Sequence, residues 1–331
     1  MRAGVRRSAA SAGVFAVAVL ASLAAPVTAH AQAHSSPGGV QWLLAFTGVA
    51  HGLTQGAAVF LAGLAAFAVL VWLPESRFRE GGTRSLARAG WVLFALLLVA
   101  GTVDLALYAV RASGEEFGLA LFGEALFETR TGWLWFARSG LGLVAASLVA
   151  RAARSSVPRS GAYWWSAVAA GGGMLATLSL QSHAAAEGGM LPLLSNWLHV
   201  AAGSVWMGGL LGFPLLLLGS LRKPAPERAE LLRRVVRRFS RIATAAVMVI
   251  VVTGVHAVAL NVPDAATLVG TPYGRALVMK LGLFALLIAA GGINLLDRGE
   301  GPLGRMVGAE LVLAFGLFLA AGFLTVLPPS G

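Results

Sequence analysis

Eight long apolar stretches constrain the fold of this chain more than any other feature. A hydrocarbon layer about 30 Å thick is crossed by roughly 20 residues of helix, and each stretch is at least that long. The stretches are residues 40–73, 87–111, 131–153, 162–185, 191–221, 239–262, 273–296 and 303–327. Lipid cannot hydrogen-bond exposed backbone groups, and the stretches lack the alternation of barrel strands. We therefore predict an all-α fold, a polytopic bundle of about eight transmembrane helices.

The composition agrees with a membrane protein and excludes several other classes. Only 12% of the 331 residues are charged, against about 25% in a soluble domain. This argues against a soluble enzyme, a disordered protein and a nucleic-acid-binding domain. The chain has no cysteine, which excludes disulfides, iron–sulfur clusters and thiolate zinc sites. A site for a soft metal would have to use histidine and methionine.

The first 31 residues have the layout of a secretory signal peptide. Arg2, Arg6 and Arg7 precede a short apolar segment, residues 11–25, and Ala29 and Ala31 supply the small residues of a cleavage site. We predict cleavage after residue 31. Residues 32–331 then form one eight-helix membrane domain whose new N-terminus lies outside the cytoplasm.

Charges in the connecting loops predict the orientation in the membrane. The loops after the first, third, fifth and seventh stretches are rich in arginine, whereas the alternate loops carry most of the acidic residues. Because basic loops stay in the cytoplasm, both mature termini are predicted to lie outside a cell inner (cytoplasmic) membrane. The net charge of +11 is then a topology signal, and we predict the lipid bilayer, not a nucleic acid, as the surroundings of the protein. Within the acidic loop 113–130, the mixture of apolar and acidic residues predicts an amphipathic surface helix.

The histidines of the predicted spans all fall in the outer half of the membrane. Imidazole is a good ligand for copper, zinc and iron, and the methionine thioether adds a preference for Cu(I). His183 and His199 flank one short external turn that also contains Met190, so we predict a metal site there. His51 and His256 are further candidate ligands, with an ordinary hydrogen bond to a neighbouring helix as the open alternative. His34, on the external tail, is interpreted as a solvated residue.

Other polar residues within the stretches are candidates for function because ionisable groups in a membrane are costly. Asp104 and Lys280 both lie toward the outer side, and we expect them to form an ion pair, with a proton relay as the alternative. Glu310 and Asn294 lie toward the inner side and are candidates for the inner part of a path across the membrane.

Several motifs in the second half of the chain make it resemble the bacterial copper resistance protein D (CopD) family. They are Gln181-Ser182-His183-Ala184, Asn196-Trp197-Leu198-His199, Val205-Trp206-Met207-Gly208-Gly209, Arg238-Phe239-Ser240-Arg241, Thr253-Gly254 and Thr271-Pro272-Tyr273-Gly274-Arg275 leading to Lys280. The CopD-like core therefore covers about residues 181–296, and the first half resembles the family only in hydropathy. Two residues depart from the family pattern: Ser182 stands where glycine is expected, and Asn196 where aspartate is frequent.

The resemblance implies an inner-membrane protein of copper uptake or resistance, with His183 and His199 as copper contacts. A soluble copper-binding domain of the CopC type does not fit in this chain, so such a domain would be a separate periplasmic partner. No phosphate-binding loop is present. We predict a copper-handling protein that is not an enzyme and has copper as its bound ion. Two alternatives stay open: a b-type haem-binding redox protein, and a copper-binding assembly or sensor protein without transport.

Overall fold

The computed structural model describes residues 37–72, 83–114, 116–154, 157–186, 188–220, 225–262, 264–296 and 303–328. The predicted signal peptide and His34 lie outside these ranges. In the described part the chain folds into helices and contains no strand. The helices are α1 (Pro37–Phe67), α2 (Thr83–Ser113), α3 (Leu119–Glu128), α4 (Arg130–Arg154), α5 (Val157–Leu180), α6 (His183–Ala186), α7 (Met190–Ser220), α8 (Ala225–Asn261), α9 (Ala265–Gly270), α10 (Pro272–Leu296) and α11 (Leu303–Val326).

Seven of these helices are long and apolar enough to cross a membrane, namely α1, α2, α4, α7, α8, α10 and α11. The predicted all-α, polytopic bundle is thereby confirmed. The fourth predicted stretch corresponds to α5, which has 24 residues but also three consecutive glycines and several polar aromatic residues.

Packing shows that α5 runs antiparallel to α4 along the bundle. At one end Arg130 of α4 donates a hydrogen bond to the carbonyl oxygen of Leu180, at 3.0 Å. Toward the other end, Val149 of α4 and Trp164 of α5 belong to one buried apolar cluster. Helix α5 therefore packs alongside α4 in the bundle, but it is not among the seven helices that are long and apolar enough to span, so the eighth predicted span stays a prediction.

The two ends of the bundle differ in charge. One end carries α3, α6 and α9 with Glu116, Glu124 and Asp264, and is called the acidic end below. The other carries the arginines at the end of α4 and along the first half of α8, and is called the basic end. The predicted amphipathic helix of the acidic end is α3, whose exposed residues include Leu119 and Phe127.

Helix α1 is the centre of the bundle. Within its most apolar window 83% of the residues are buried, against 17% for α8. It packs against α2, α5, α7 and α11. The closest approach to α7 is at Gly63 and Gly208, where a Cβ on either glycine would overlap the backbone of the other helix. Small residues allow such close contact between membrane helices.

A π-helical turn, Ala68–Trp72, continues α1 at the basic end. Such a turn interrupts the regular hydrogen-bond ladder. The guanidinium group of Arg238 on α8 donates a hydrogen bond to the carbonyl oxygen of Leu70. The basic segment of α8 is thereby attached to the central helix.

Candidate functional site

A buried histidine–aspartate pair joins α1 to α2 in the acidic half of the bundle. His51 Nδ1 lies 2.8 Å from Asp104 Oδ2, and each residue is less than a tenth exposed. An ionised carboxylate can only accept a hydrogen bond, so the proton of a neutral His51 lies on Nδ1. The Nε2 atom then keeps its lone pair. This carboxylate–histidine arrangement is common beside metal ions, because it orients the ring and raises its basicity.

The pair lines a cavity of about 190 Å³. Its walls come from α1, α2, α4, the turn after α5 and the end of α11. Besides His51 and Asp104, the polar lining includes Arg111, Trp135 and Arg138. The cavity is large enough to hold several water molecules or a small ion.

Arg138 is a buried cation in this wall, only 4% exposed. Its Nε donates to Thr177 Oγ1 at 3.0 Å, and its Nη2 donates to Gln181 Oε1. Gln181 is the first residue of the motif that ends in His183. Arg138 therefore fixes the point where α5 ends and the turn toward the predicted metal site begins.

His183 opens the short helix α6 and contacts the end of α11. Its Nε2 lies 3.3 Å from the carbonyl oxygen of Leu324. In the same turn, Asn196 Nδ2 donates to Ser182 Oγ at 3.2 Å. Ser182 and Asn196 are the two residues that depart from the family pattern. They form one polar contact beside His183.

His199 is held by a hydrogen bond to the neighbouring helix α8. Its Nδ1 lies 2.9 Å from Thr253 Oγ1. The Thr253 hydroxyl donates to the carbonyl oxygen of Val249 at 2.6 Å, so its oxygen accepts from the imidazole. As in His51, this places the proton on Nδ1 and the lone pair on Nε2.

His256 lies one turn beyond Thr253 on the same face of α8. Its Nε2 atom is buried and has no hydrogen-bond partner among the residues that the structure describes. A buried polar atom without a partner is uncommon and costs free energy. A ligand bound beside His256 would satisfy this nitrogen.

The remaining candidates are more dispersed than the sequence suggested. Met190 is the first residue of α7 and is 69% exposed. His183 and His199 hydrogen-bond to different helices, α11 and α8. In the described ranges no three His, Asp or Glu side chains form a group that could hold a metal ion. The ligand role of the five predicted residues stays a prediction.

Our expectation of an ion pair between Asp104 and Lys280 was wrong. Asp104 bonds to His51, whereas Lys280 lies half-buried on α10. The two positions lie at similar predicted depth, but depth does not determine which helices are neighbours.

The cavity wall formed by Arg138, Gln181 and Trp135 was not predicted from the sequence. An available signal was the spacing of Thr177 and Gln181, which places both on one face of α5.

The helical fold and the histidines in the acidic half define the class of this protein. It is a multi-pass helical membrane protein with imidazole groups gathered toward one end. Two family models match the chain: "Copper resistance protein D-like, N-terminal domain" over residues 43–193, and "Copper resistance protein D" over residues 233–324. The chain belongs to the copper resistance protein D family.

A curated relative is the "Copper transport protein CutJ" of Bacillus subtilis (strain 168). It is 32% identical over 219 residues, which are 65% of this chain and 40% of the relative. The chain therefore matches less than half the length of that protein. No solved structure matches the chain.

Proposed function

We propose that this protein transports copper across the inner membrane, taking it up from the outside and so contributing to copper resistance or homeostasis. Family membership and the similarity to a protein named as a copper transporter support this substrate. The structural observation that carries the proposal is shared by four histidines. His51, His183, His199 and His256 all lie in the acidic half. One ring nitrogen of each of the first three is hydrogen-bonded within the protein, and the buried Nε2 of His256 has no partner among the described residues.

The acidic end is proposed as the outer face. Arginine is concentrated at the basic end, and basic segments remain cytoplasmic. With eight spans and a cleaved signal peptide, both mature termini lie outside the cytoplasm. Copper then meets the histidine-bearing half first. A separate periplasmic copper-binding protein of the CopC type is the proposed donor.

His199 and His256 are the best-placed pair for the copper ion. Thr253 bonds to His199 and precedes His256 by one turn on the same face of α8, so both residues belong to the α7–α8 contact. With the proton of His199 on Nδ1, its Nε2 would be one neutral donor and the unpartnered Nε2 of His256 a second, and neutral imidazole suits copper. His183 and Met190 lie nearer the acidic surface and would serve as earlier contacts. His51 bonds to Asp104 in a cavity that Arg111 and Arg138 also line, and it is the least suited of the five predicted ligands.

Transport without an enzymatic step is the proposed mechanism. The chain carries no phosphate-binding loop, so movement would follow the copper gradient or couple to protons. In this chain, the residues supply imidazole nitrogens for the ion, hydrogen bonds that orient the rings, and a bundle that excludes lipid from the path.

The test is Cu(I) uptake into proteoliposomes that contain the full chain. We expect the double variant His199→Gln/His256→Gln to reduce the initial uptake rate at least about tenfold. Thr253→Val should weaken copper affinity about 10- to 100-fold, the usual effect of removing a group that orients a ligand. Thr244→Val on the same helix is the matched control, because its hydroxyl bonds only to the Ser240 carbonyl oxygen; it should behave as wild type.

Other outcomes would favour other functions. Uptake by the double variant at the wild-type rate would exclude His199 and His256 from the path. Stoichiometric copper binding without uptake would identify a copper-binding protein that does not transport. A Soret band in the purified protein would identify a haem protein and overturn the copper assignment.

A further inference from the structure

The lining of the cavity at the acidic end carries more positive than negative charge. Two guanidinium groups line it, those of Arg111 and Arg138, and Asp104 is the acidic residue of its lining. In the arrangement described above, Asp104 accepts from His51 through Oδ2. The cavity therefore has a formal charge of about +1 when His51 is neutral.

One buried donor in the wall has no acceptor in the described part of the chain. The Nε1 atom of Trp135 is buried and lacks a hydrogen-bond partner, and an indole N–H can only donate. Arg138 donates from Nε to Thr177 and from Nη2 to Thr177 and Gln181, which holds its guanidinium group in the same wall.

We propose that this cavity binds a small anion, chloride or a small carboxylate. An anion would accept from Trp135 and Arg138 at once and would offset the excess positive charge. Charge-assisted hydrogen bonds of this kind are stronger than neutral ones. A bare metal cation fits less well, because the two guanidinium groups repel it. A volume of about 190 Å³ suits a small ion and excludes a nucleotide or a lipid.

This inference does not depend on copper transport, and its test contains no copper. Full-length protein in detergent is titrated with chloride or acetate against gluconate, a larger and polyhydroxylated anion, at constant ionic strength. The thermal unfolding temperature is measured at each concentration. A ligand that binds only the folded state raises this temperature with concentration above its dissociation constant. We expect chloride, acetate or both to raise it above the gluconate series. The anion that acts at the lower concentration identifies the ligand.

Two pairs of variants locate the effect. Trp135→Phe keeps an aromatic ring but removes the N–H, so it should abolish most of the anion-dependent shift. Trp133→Phe is its matched control, because Trp133 is 63% exposed and does not line the cavity. Arg138→Gln should also abolish the shift, and Arg130→Gln, whose side chain bonds to Leu180 instead, should retain it.

The proposal is overturned if chloride and acetate act no differently from gluconate. It is also overturned if Trp135→Phe and Trp133→Phe respond to anions alike. If Arg138→Gln fails to fold, the chloride NMR linewidth of wild type and Trp135→Phe provides the same comparison. Broadening that is lost in Trp135→Phe supports the site, and equal broadening contradicts it.

Discussion

Asp104 on α2 accepts a hydrogen bond from Nδ1 of His51 on α1 at 2.8 Å, with both residues almost wholly buried. The bond links the central helix to its neighbour in the half of the bundle that contains His183, His199 and His256. It also fixes which ring nitrogen of His51 faces a ligand. The pair therefore serves both packing and the chemistry of the cavity.

Removing either member of this pair should destabilise the protein. Asp104→Ala is expected to lower the free energy of unfolding by about 1–3 kcal/mol, because it leaves the Nδ1–H of His51 buried without an acceptor. His51→Ala should have a similar cost, and the double variant should cost less than the sum of the two. Unfolding in mixed micelles with increasing SDS measures all three.

The control for this prediction is Thr102→Val, also on α2. Among the described residues, its hydroxyl bonds to the Leu98 carbonyl oxygen in its own helix, so its cost should stay below about 0.5 kcal/mol. Strict additivity of the Asp104 and His51 substitutions would show that the hydrogen bond contributes nothing to stability.

Gly208→Ala should separate α7 from α1. A Cβ at Gly208 would overlap the backbone of Gly63, so the helices must move apart or the protein must fail to assemble. Gly203→Ala on the same helix meets no atom within 4 Å. It should be neutral or stabilising by up to about 1 kcal/mol, since alanine favours helix over glycine. Yield of folded protein and thermal unfolding temperature measure the difference; equal values for the two variants would contradict the close contact.

Glu310→Gln should separate transport from binding. Glu310 is a buried carboxyl group on α11, 3% exposed, toward the basic end and away from the four histidines. We expect copper uptake into proteoliposomes to fall at least about tenfold while copper affinity stays at the wild-type value. Val312→Ala, a partly lipid-facing change on the same helix, is the control. Uptake at the wild-type rate in Glu310→Gln would exclude this residue from the path.

Asp264 should contribute stability only while its carboxyl group is ionised. It lies outside the spans, at the start of α9, and its Oδ1 accepts from the Thr267 hydroxyl at 2.6 Å and the Thr267 backbone N–H at 2.8 Å. These hydrogen bonds lower the pKa of Asp264 from its ordinary value of 3.8. A group with a lowered folded-state pKa stabilises the protein above its unfolded pKa, and the contribution disappears as pH falls through the folded value.

The matching measurement compares wild type with Asp264→Ala at about pH 6 and about pH 2. The variant should unfold at a lower temperature at the higher pH, and the difference should shrink at the lower pH. Asp264→Asn keeps an acceptor oxygen and is expected to lose less. A difference that does not change with pH would show that the charge of Asp264 is not involved.

The sequence predicted the helices well because apolar length is a local property. The third stretch was expected at residues 131–153 and forms Arg130–Arg154. Helix ends that lie in polar segments were predicted less well, because hydropathy identifies only the apolar part of a helix. Helix α8 begins at Ala225, well before the expected residue 239, because its basic first half is also helical. The stretch at 162–185 is interrupted, since α5 ends at Leu180 and α6 begins at His183.

The site was predicted only in part, because contacts between helices depend on packing. His51 and Asp104 are 53 positions apart, and no spacing rule connects them. The sequence predicts how deep a residue lies in the membrane, but it does not predict which residue of a neighbouring helix it contacts. Family likeness was recognised from short motifs after Gln181, yet a family model also matches residues 43–193. In that half the likeness is not concentrated in short motifs.

Glycine contacts on both sides of α1 have a mechanical consequence. Near the acidic end, a Cβ on Gly322 of α11 would overlap the backbone of Gly48 and Gly52, and farther along α1, Gly63 meets Gly208 of α7. Helices α11 and α7 thus contact the backbone of α1 directly, at different positions along its length and without side chains in between. Because no side chains separate the backbones, these contacts leave little room for α7 and α11 to move relative to α1. If the bundle rearranges during a transport cycle, α1 is expected to stay fixed, and α10, with only 28% of its most apolar window buried, is the helix expected to move relative to it.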